Sequence, residues 1–343
     1  MSYSYIRDMQ NELISILTPF KNTAEFLQAC LDSIINQTYE NWELLIVNDH
    51  STDESNQIVL NYAKSDSRIK LFQNNGTGII ESLRLAFKNS QGTYITRMDS
   101  DDIMTPNKLE ILIGNLKKYG QGHVAVGKVK YFSDVGISDG YSKYEKWING
   151  LTEKGINYSE IYKECVIPSP CWMIHRNDLI LCNAFNPNFY PEDYDLTFRF
   201  YKYDMICIPC HNILHHWRDY STRTSRTHEH YAQNYFLEIK LKYFLELDYD
   251  SNRSLVIWGA GFKGKTIAKL LVDNNVPFHW ICDNPKKIGK HIYNQEMLPF
   301  SVLKTIKNPQ SIITVANEQA QKEIRKYFES LNLHPVKDYF FFC

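Results

Sequence analysis

The chain has 343 residues, of which 43% are hydrophobic, so it is long enough for two domains that each bury a core. The formal charge of −1 provides no general attraction to nucleic acid or anionic lipid, and nucleic acid is not an expected partner. No apolar run approaches the about 18 residues that span a bilayer. Because the first residues lack a signal peptide's apolar core and the cysteines are scattered, we expect a cytoplasmic protein.

The first third of the chain alternates strand-like and helix-like segments, which predicts an α/β fold with a mostly parallel sheet flanked by helices. The predicted strands are 13–17, 44–47, 69–72 and 94–96. Between the first two, apolar residues from 26 to 35 recur at helical spacing and predict a helix on the sheet. Ligands bind beyond the carboxyl ends of strands in such sheets, so the polar segments 18–22, 48–53 and 99–102 should converge.

The most informative stretch is Arg97-Met-Asp-Ser-Asp-Asp102, which has three carboxylates in four positions after an apolar run. If the strand continues, Asp99 and Asp101 point to one side and repel each other unless a cation lies between them. Mg²⁺ or Mn²⁺ suits such a site, because it takes one or two carboxylates and completes its shell with water and phosphates. The stretch therefore favours a nucleotide-diphosphate substrate, and a polar turn before a helix is the alternative.

Between about residues 120 and 225 the pattern is irregular and rich in tyrosine and tryptophan, Trp172 among them, which favours a binding layer. Cys207-Ile-Pro-Cys210 lies in this region and is followed by several histidines. It could form a zinc site or a redox dithiol. We prefer a half-buried strand, which is the more frequent context of one C-x-x-C in an apolar run.

The last third predicts a smaller α/β unit over 251–343, preceded by a linking helix within 231–250. Gly259, Gly261 and Gly264 form G-x-G-x-x-G between a strand and a helix, and Asp283 follows the next strand. This resembles a Rossmann-type unit, in which glycines let phosphates approach a helix amino terminus. These four residues are a candidate second nucleotide site. A domain kept for packing, dimerisation or docking is the alternative.

Five segments of the first 230 residues resemble the family 2 glycosyltransferases in their order and spacing. They are 15–22, 33–39, 42–53, 97–102 and 192–193. The resemblance implies a GT-A fold over residues 1–230, a metal-dependent nucleotide-sugar donor, and transfer with inversion at the anomeric carbon.

The resemblance also assigns residues to the donor nucleotide. Thr18, Pro19 and Asn22 match the loop beneath the nucleoside. Asp49 matches the acid that accepts a hydrogen bond from a pyrimidine ring N–H. Helix capping and turn chemistry are the alternative explanation at these positions.

For the diphosphate, Asp99 and Asp101 match the D-x-D element of the family. Asp101 is the expected metal ligand, and Asp99 is expected near the ribose or a metal-bound water. Mn²⁺ or Mg²⁺ would neutralise the charge that builds on the leaving group. In the segment 215–228, Arg223 is expected to fold over the diphosphate and His216 to complete the metal shell.

Asp193 matches the general base of the family, as the second acid of a pair that precedes a helix-like segment, 194–201. Inverting transfer needs a carboxylate that takes the proton from the acceptor hydroxyl. Glu192 and Trp172 are assigned to the acceptor region. Acids are also enriched at helix amino termini, which is the alternative for the pair.

Three residues depart from the family pattern: Asn48 and His50 replace acidic and glycine neighbours of Asp49, and Arg84 stands where asparagine is common. They bear on nucleotide preference. The processive Q-x-x-R-W motif is missing from the sequence, which favours addition of one sugar per encounter.

Together these features predict transfer of one sugar from a nucleotide diphosphate, UDP first, to a hydroxyl of a glycan or lipid-linked glycan. A nucleotide-sugar oxidoreductase acting through the second domain and a non-catalytic scaffold are the rival functions. Association with the inner face of a membrane and homo-oligomerisation stay open.

Overall fold

The computed structural model describes residues 12–223, 226 and 236–343. The chain divides into two compact units, one drawn from 1–157 and 166–221 and the other from 158–165 and 222–343. Among the residues that are described, no helix is both long and apolar enough to cross a membrane.

The first unit contains a large sheet with the strand order β3-β2-β1-β4-β8-β6-β9 and a small sheet with the order β5-β10-β7. The strands are β1 (Ile14–Phe20), β2 (Trp42–Asn48), β3 (Ile69–Gln73), β4 (Tyr94–Arg97), β5 (Ile103–Met104), β6 (His123–Val126), β7 (Lys128–Phe132), β8 (Trp172–His175), β9 (Ile206–Ile208) and β10 (Ile213–Arg218). Strands β1 to β4 run parallel, whereas β8 is antiparallel to both β4 and β6.

The helices of this unit are α1 (Ala24–Ile35), α2 (Ser55–Ser65), α3 (Ile79–Asn89), α4 (Lys108–Tyr119), α5 (Asp139–Lys154), α6 (Arg176–Leu181) and α7 (Glu192–Lys202), and a short 3-10 helix spans Asn157–Glu160. Every residue of β1 and β2 is buried, as expected for central parallel strands covered on both faces. Leu27, Cys30, Leu31 and Ile34 of α1 are buried as well. The predicted α/β fold is confirmed.

The second unit has a sheet with the order β13-β14-β12-β11-β15-β16, parallel except for the β13–β14 pair. Its elements are α8 (Phe236–Leu247), β11 (Ser254–Trp258), α9 (Phe262–Asp273), β12 (His279–Cys282), β13 (His291–Ile292), β14 (Gln295–Pro299), a 3-10 helix (Phe300–Thr305), β15 (Pro309–Ile313), α10 (Glu318–Ser330) and β16 (Tyr339–Phe341). The first residues of the expected linking helix, 231–235, lie outside the described part.

Several local expectations change. β4 ends at Arg97, so the acids that follow lie in a turn and not on an alternating strand. Helix α7 begins at Glu192, so the acid pair lies within its first turn instead of preceding it. Cys207 lies in β9, Cys210 follows it, and both thiols are buried and unbridged, as the strand interpretation predicts.

Candidate active site

The carboxyl end of β2 holds Asp49 in a fixed orientation. Its Oδ1 accepts hydrogen bonds from Asn74 Nδ2 at 2.8 Å and from the Gly78 N–H at 2.9 Å. Its Oδ2 lies 3.7 Å from the Lys21 ammonium, which is 57% exposed. Oδ1 is therefore occupied by hydrogen bonds within the fold, whereas Oδ2 faces an exposed lysine side chain.

The two departures beside Asp49 are accommodated locally. His50 has a φ of 58°, the left-handed region that favours glycine, and its Nε2 lies 2.8 Å from the Gly76 carbonyl oxygen. Asn48 Oδ1 accepts a hydrogen bond from the Ser51 N–H at 2.9 Å. The loop keeps its turn without a glycine at position 50.

The predicted nucleoside loop differs from expectation. Thr18 and Pro19 are buried residues inside β1, which continues to Phe20, so they do not form a loop. In the part of the chain that is described, no group bonds the buried Thr18 hydroxyl. Asn22 Oδ1 accepts a hydrogen bond from the Thr52 N–H at 2.8 Å, so its side chain joins two loops, as the turn alternative expects. Contact of these residues with a nucleoside stays a prediction.

The turn after β4 contains Asp99, which forms an ion pair with Arg97. Arg97 Nη2 lies 2.9 Å from Asp99 Oδ1, and Ser169 Oγ lies 3.3 Å from Asp99 Oδ2. We expected a metal ion to offset the repulsion among these acids. A buried guanidinium already does so in part.

Asp101 and Asp102 have different partners. Asp101 Oδ2 accepts a hydrogen bond from Tyr220 Oη at 2.8 Å, and its carbonyl accepts one from Arg218 Nε at 2.8 Å. Asp102 is 1% exposed, and its Oδ1 accepts a hydrogen bond from the Arg218 N–H at 2.7 Å. Asp102 is therefore a structural acid, which leaves Asp99 and Asp101 as candidates for the donor.

The carboxylates of the D-x-D turn suit a hard divalent cation whose remaining ligands are water and phosphates. In the described ranges, no group of three or more His, Cys, Asp or Glu side chains is arranged to hold a metal ion. Mg²⁺ commonly binds through one or two carboxylates with water and phosphates as its remaining ligands, and Asp99 and Asp101 fit that pattern. His216 is half-buried in β10, and burial lowers its pKa, which favours the neutral imidazole that a metal requires.

The acid pair begins α7 and is tied to the D-x-D turn. Arg97 Nη1 lies 2.8 Å from Glu192 Oε1, so one guanidinium joins Asp99 to Glu192. Although burial opposes its charge, the neighbouring carboxylates hold the pKa of Arg97 above its ordinary value. The turn that would bind the donor and the helix that would supply the base thus share one buried cation.

Asp193 lies beside that cation with a perturbed acidity. Burial and the neighbouring Glu192 carboxylate raise its pKa to about 7, against the lowering effect of Arg97. Its Oδ1 accepts a hydrogen bond from the Tyr194 N–H at 2.8 Å. A carboxylate with a pKa near neutrality is suited to take a proton from an acceptor hydroxyl.

The segment before α7 is held by Arg84, the third departure. Arg84 Nε donates to the Phe185 carbonyl at 2.7 Å, and Nη2 donates to the Asn186 carbonyl and to Asn188 Oδ1. A guanidinium can bridge this segment where a short asparagine would not reach. The departure therefore stabilises the approach to the acid pair.

The roles of two other predicted site residues stay predictions. Trp172 is 3% exposed and packs edge-to-face against Phe200 of α7, so it lies in the core and its acceptor role stays a prediction. Arg223 belongs to the second unit, and its role also stays a prediction. Residues 224–225 and 227–235, which include His228, lie outside the described part.

In the second unit, packing accounts for two of the three glycines. A Cβ on Gly259 would lie 2.5 Å from Thr314 Oγ1, and one on Gly264 would lie 2.1 Å from the Gly259 carbonyl oxygen. Gly261 has open space around its Cβ position, and Asp283 is exposed. The second nucleotide site stays a prediction.

Sequence reasoning missed several residues of this network. Arg97, Ser169 and Tyr220 contact the D-x-D acids, and Lys108 and His215 lie beneath them. A signal existed for Arg97, since a charged residue that ends a buried strand needs an acidic partner. The others depend on long-range contacts that a pattern does not reveal.

Comparison with known proteins identifies the family. The model of Glycosyl transferase family 2 matches residues 15–180. WfgD of Escherichia coli, a UDP-Glc:alpha-D-GlcNAc-diphosphoundecaprenol beta-1,3-glucosyltransferase, is 33% identical over 196 residues, which cover 55% of this chain and 69% of WfgD. The chain belongs to glycosyltransferase family 2.

Some relatives are much longer proteins, which this chain matches only in part. Glycosyltransferase GlyA of Streptococcus pneumoniae is 35% identical over 124 residues, 36% of this chain. The chain spans only 18% of GlyA and 26% of a glycosyltransferase of Rickettsia bellii.

Solved structures share the GT-A-like fold. The S. aureus TarS fragment 1–349 in complex with UDP-GlcNAc has a TM-score of 0.55 at 18% identity, covering 76% of this chain and 71% of that one. Mannosyltransferase PcManGT of Pyrobaculum calidifontis, in complex with GDP-Man and Mn²⁺, has a TM-score of 0.52 at 14% identity, covering 69% and 64%.

Proposed function

We propose that this family member transfers one sugar from a UDP-sugar to a hydroxyl of a glycan or lipid-linked glycan, with a divalent metal and with inversion. The observation that carries the proposal is the Arg97 guanidinium, which lies 2.9 Å from Asp99 and 2.8 Å from Glu192. It brings together the turn suited to a metal-bound diphosphate and the first turn of α7, which contains Asp193. Donor departure and acceptor activation require such adjacency.

Asp49 supports UDP as the donor nucleotide. Uracil offers one ring N–H to a carboxylate, whereas guanine offers an N–H and an amino group side by side, which occupy both oxygens. Asp49 Oδ1 already accepts two hydrogen bonds from the fold, so a base would meet Oδ2 alone. A site with one available acceptor suits uracil better. The fold by itself does not choose, because its solved neighbours carry UDP-GlcNAc or GDP-Man.

The chain's own residues divide the chemistry. A bound Mn²⁺ or Mg²⁺ would act as a Lewis acid that stabilises the charge on the departing diphosphate. Asp101 would hold that cation with the donor, Asp99 would lie near the ribose or a metal-bound water, and His216 would complete the metal shell. Asp193 would remove the proton of the acceptor hydroxyl during attack. Glu192, which is held by Arg97, would orient the acceptor.

The acceptor class rests on kinship. WfgD is named for a diphosphoundecaprenol-linked acceptor, and a hydroxyl of a lipid-linked or free glycan is the corresponding proposal for this chain.

We also propose a division of the chain into a transfer domain over 1–230 and a Rossmann-like unit over 251–343. A peripheral place at the inner face of the membrane is a further proposal.

Calorimetric titration tests the donor. We expect UDP to bind in the presence of Mn²⁺ at least tenfold more tightly than GDP, and more weakly after chelation of the metal. Asp101→Ala should abolish the metal dependence while the fold, checked by circular dichroism, persists. Wild-type protein that binds neither nucleotide with Mn²⁺ would refute the proposal.

A further inference from the structure

We propose that Lys108 is a positioning residue for the donor site, whose buried ammonium holds the D-x-D turn through His215 and Asp102. The inference rests on the proposed function, because it concerns the turn that would bind the metal and the diphosphate. Lys108 itself would touch neither.

The three side chains form a continuous buried line. Lys108 Nζ lies 3.2 Å from His215 Nδ1, and His215 Nε2 lies 2.9 Å from Asp102 Oδ2. Lys108 and His215 are 0% exposed, and Asp102 is 1% exposed. Water therefore does not replace any of these contacts.

The chemistry of the groups sets the direction of the hydrogen bonds. An ammonium group only donates and an ionised carboxylate only accepts, so the imidazole accepts at Nδ1 from Lys108 and donates at Nε2 to Asp102. This fixes His215 as one neutral tautomer. The carboxylate is oriented by a donor that is itself oriented.

The line reaches the functional turn from two sides. Asp102 directly follows Asp101, and its second oxygen is bonded to the Arg218 N–H at 2.7 Å. Lys108 Nζ also donates to the Pro170 carbonyl at 2.5 Å, next to Ser169, whose hydroxyl lies 3.3 Å from Asp99 Oδ2. One ammonium thus supports both segments that orient the candidate ligands.

Helix formation and packing alone do not account for a lysine here. Lys108 is the first residue of α4, where the helix dipole disfavours a cation. Burial lowers the pKa of Lys108, whereas Asp102 and Asp99 oppose that lowering. A methionine would fill the same space without desolvating a charge. The charge is explained by what it holds: a turn with three acids in four positions.

The test compares UDP binding at saturating Mn²⁺ in variants that keep or break the line. Lys108→Met and His215→Leu break it. His215→Gln keeps it, because an amide can accept from Lys108 and donate to Asp102. The matched control is Lys240→Met in the second unit, where a lysine that is 4% exposed donates to the Lys163 and Phe342 carbonyls at 2.8 and 3.3 Å.

We expect Lys108→Met and His215→Leu to weaken UDP binding at least tenfold, His215→Gln to stay within about threefold of wild type, and Lys240→Met to bind like wild type despite a lower melting temperature. Manganese affinity, read by electron paramagnetic resonance, should follow the same order. If Lys108→Met does not fold, the two His215 variants decide.

Equal affinity in wild type and Lys108→Met, or in His215→Leu and His215→Gln, would overturn the inference. So would an equal loss in Lys240→Met, because burial of any lysine would then suffice. If wild type binds no UDP with Mn²⁺, the proposed function itself fails, which is a different result from unchanged binding in the variants.

Discussion

Replacement of Asp193 by asparagine should stabilise the fold and at the same time remove catalysis. Burial and Glu192 raise the pKa of Asp193 from the ordinary 3.8 to about 7, so ionisation of this carboxyl is less favourable in the fold than in the unfolded chain. The difference corresponds to at most about 4 kcal/mol. Asp193 is partly exposed, so we expect about 1–3 kcal/mol after solvent screening.

The sign follows from linkage. A carboxyl with a raised pKa in the fold favours folding fully below its unfolded pKa and loses that contribution as pH rises through the folded value. Wild-type stability should therefore decline between about pH 4 and pH 7, and the Asp193→Asn protein should lack that decline. At pH 8 the variant should melt about 2–10 °C higher than wild type.

Catalysis should respond in the opposite direction. A general base acts on the acceptor proton in the transition state, so Asp193→Asn should lower kcat by on the order of 10²–10⁴ while the UDP affinity hardly changes. Asparagine can still accept the 2.8 Å hydrogen bond from the Tyr194 N–H, so the start of α7 is preserved.

Asp195, two residues further along α7, provides the matched control. It is 1% exposed, and its Oδ2 lies 2.9 Å from Arg199 Nε. Asp195→Asn breaks a buried pair and should cost about 3–5 kcal/mol. Thermal melts from pH 4 to pH 9 and a transfer assay with a competent acceptor check both variants. A near-wild-type rate, or a loss of stability at pH 8 in Asp193→Asn, would refute the reasoning.

Four further substitutions test charge pairs and backbone packing in the first unit. Arg97→Met should destabilise the fold by about 3–5 kcal/mol in urea unfolding, because it removes the buried cation that lies 2.9 Å from Asp99 and 2.8 Å from Glu192; unchanged stability would contradict this. Glu43→Gln should destabilise the fold, because it removes the ion pair in which Lys70 Nζ lies 2.7 Å from Glu43 Oε2. Burial raises the pKa of Glu43, but the hydrogen bonds from Lys70 and other groups outweigh it and hold that pKa below its ordinary 4.5. The deficit of this variant should shrink as pH falls from 4.5 through the lowered pKa that Glu43 has in the fold. Gly92→Ala places a Cβ 2.6 Å from β1 backbone and should destabilise, whereas Gly114→Ala, with nothing within 4 Å, should stabilise by about 0.5–1 kcal/mol; equal effects would count against the crowding argument.

The sequence predicts the parallel sheet well because its strands are buried on both faces. Segments such as 14–20 and 42–48 are apolar runs whose partners hardly matter for their identification. Motif spacing then brings Asp49 and the D-x-D turn to one edge of the sheet. These predictions needed only local pattern and the rule that ligands lie beyond the carboxyl ends of strands.

A sequence pattern does not reveal side-chain contacts that depend on a distant partner. Thr18 and Asn22 fit a family motif; Thr18 is buried inside β1 and Asn22 Oδ1 accepts a hydrogen bond from the Thr52 N–H at 2.8 Å, while their contact with a nucleoside stays a prediction. The repulsion expected between the D-x-D acids was inferred without Arg97, which is only two residues from Asp99. The sequence shows that Arg97 carries a positive charge, but it does not show that its guanidinium lies against Asp99.

The second unit contains features whose roles the sequence pattern alone does not decide. Segment 158–165 belongs to this unit, where Tyr162 stacks on Phe342 with ring centroids 5.3 Å apart, a contact between segments far apart in the sequence that local polarity does not reveal. Similarly, Gly259 and Gly264 are required by contacts within 3 Å of their Cβ positions, whether or not a phosphate binds. Of the three motif glycines, only Gly261 has open space around its Cβ position. Gly261→Ala therefore leaves the packing at Gly259 and Gly264 intact, and a loss of nucleotide binding in this variant would indicate a nucleotide site at the turn.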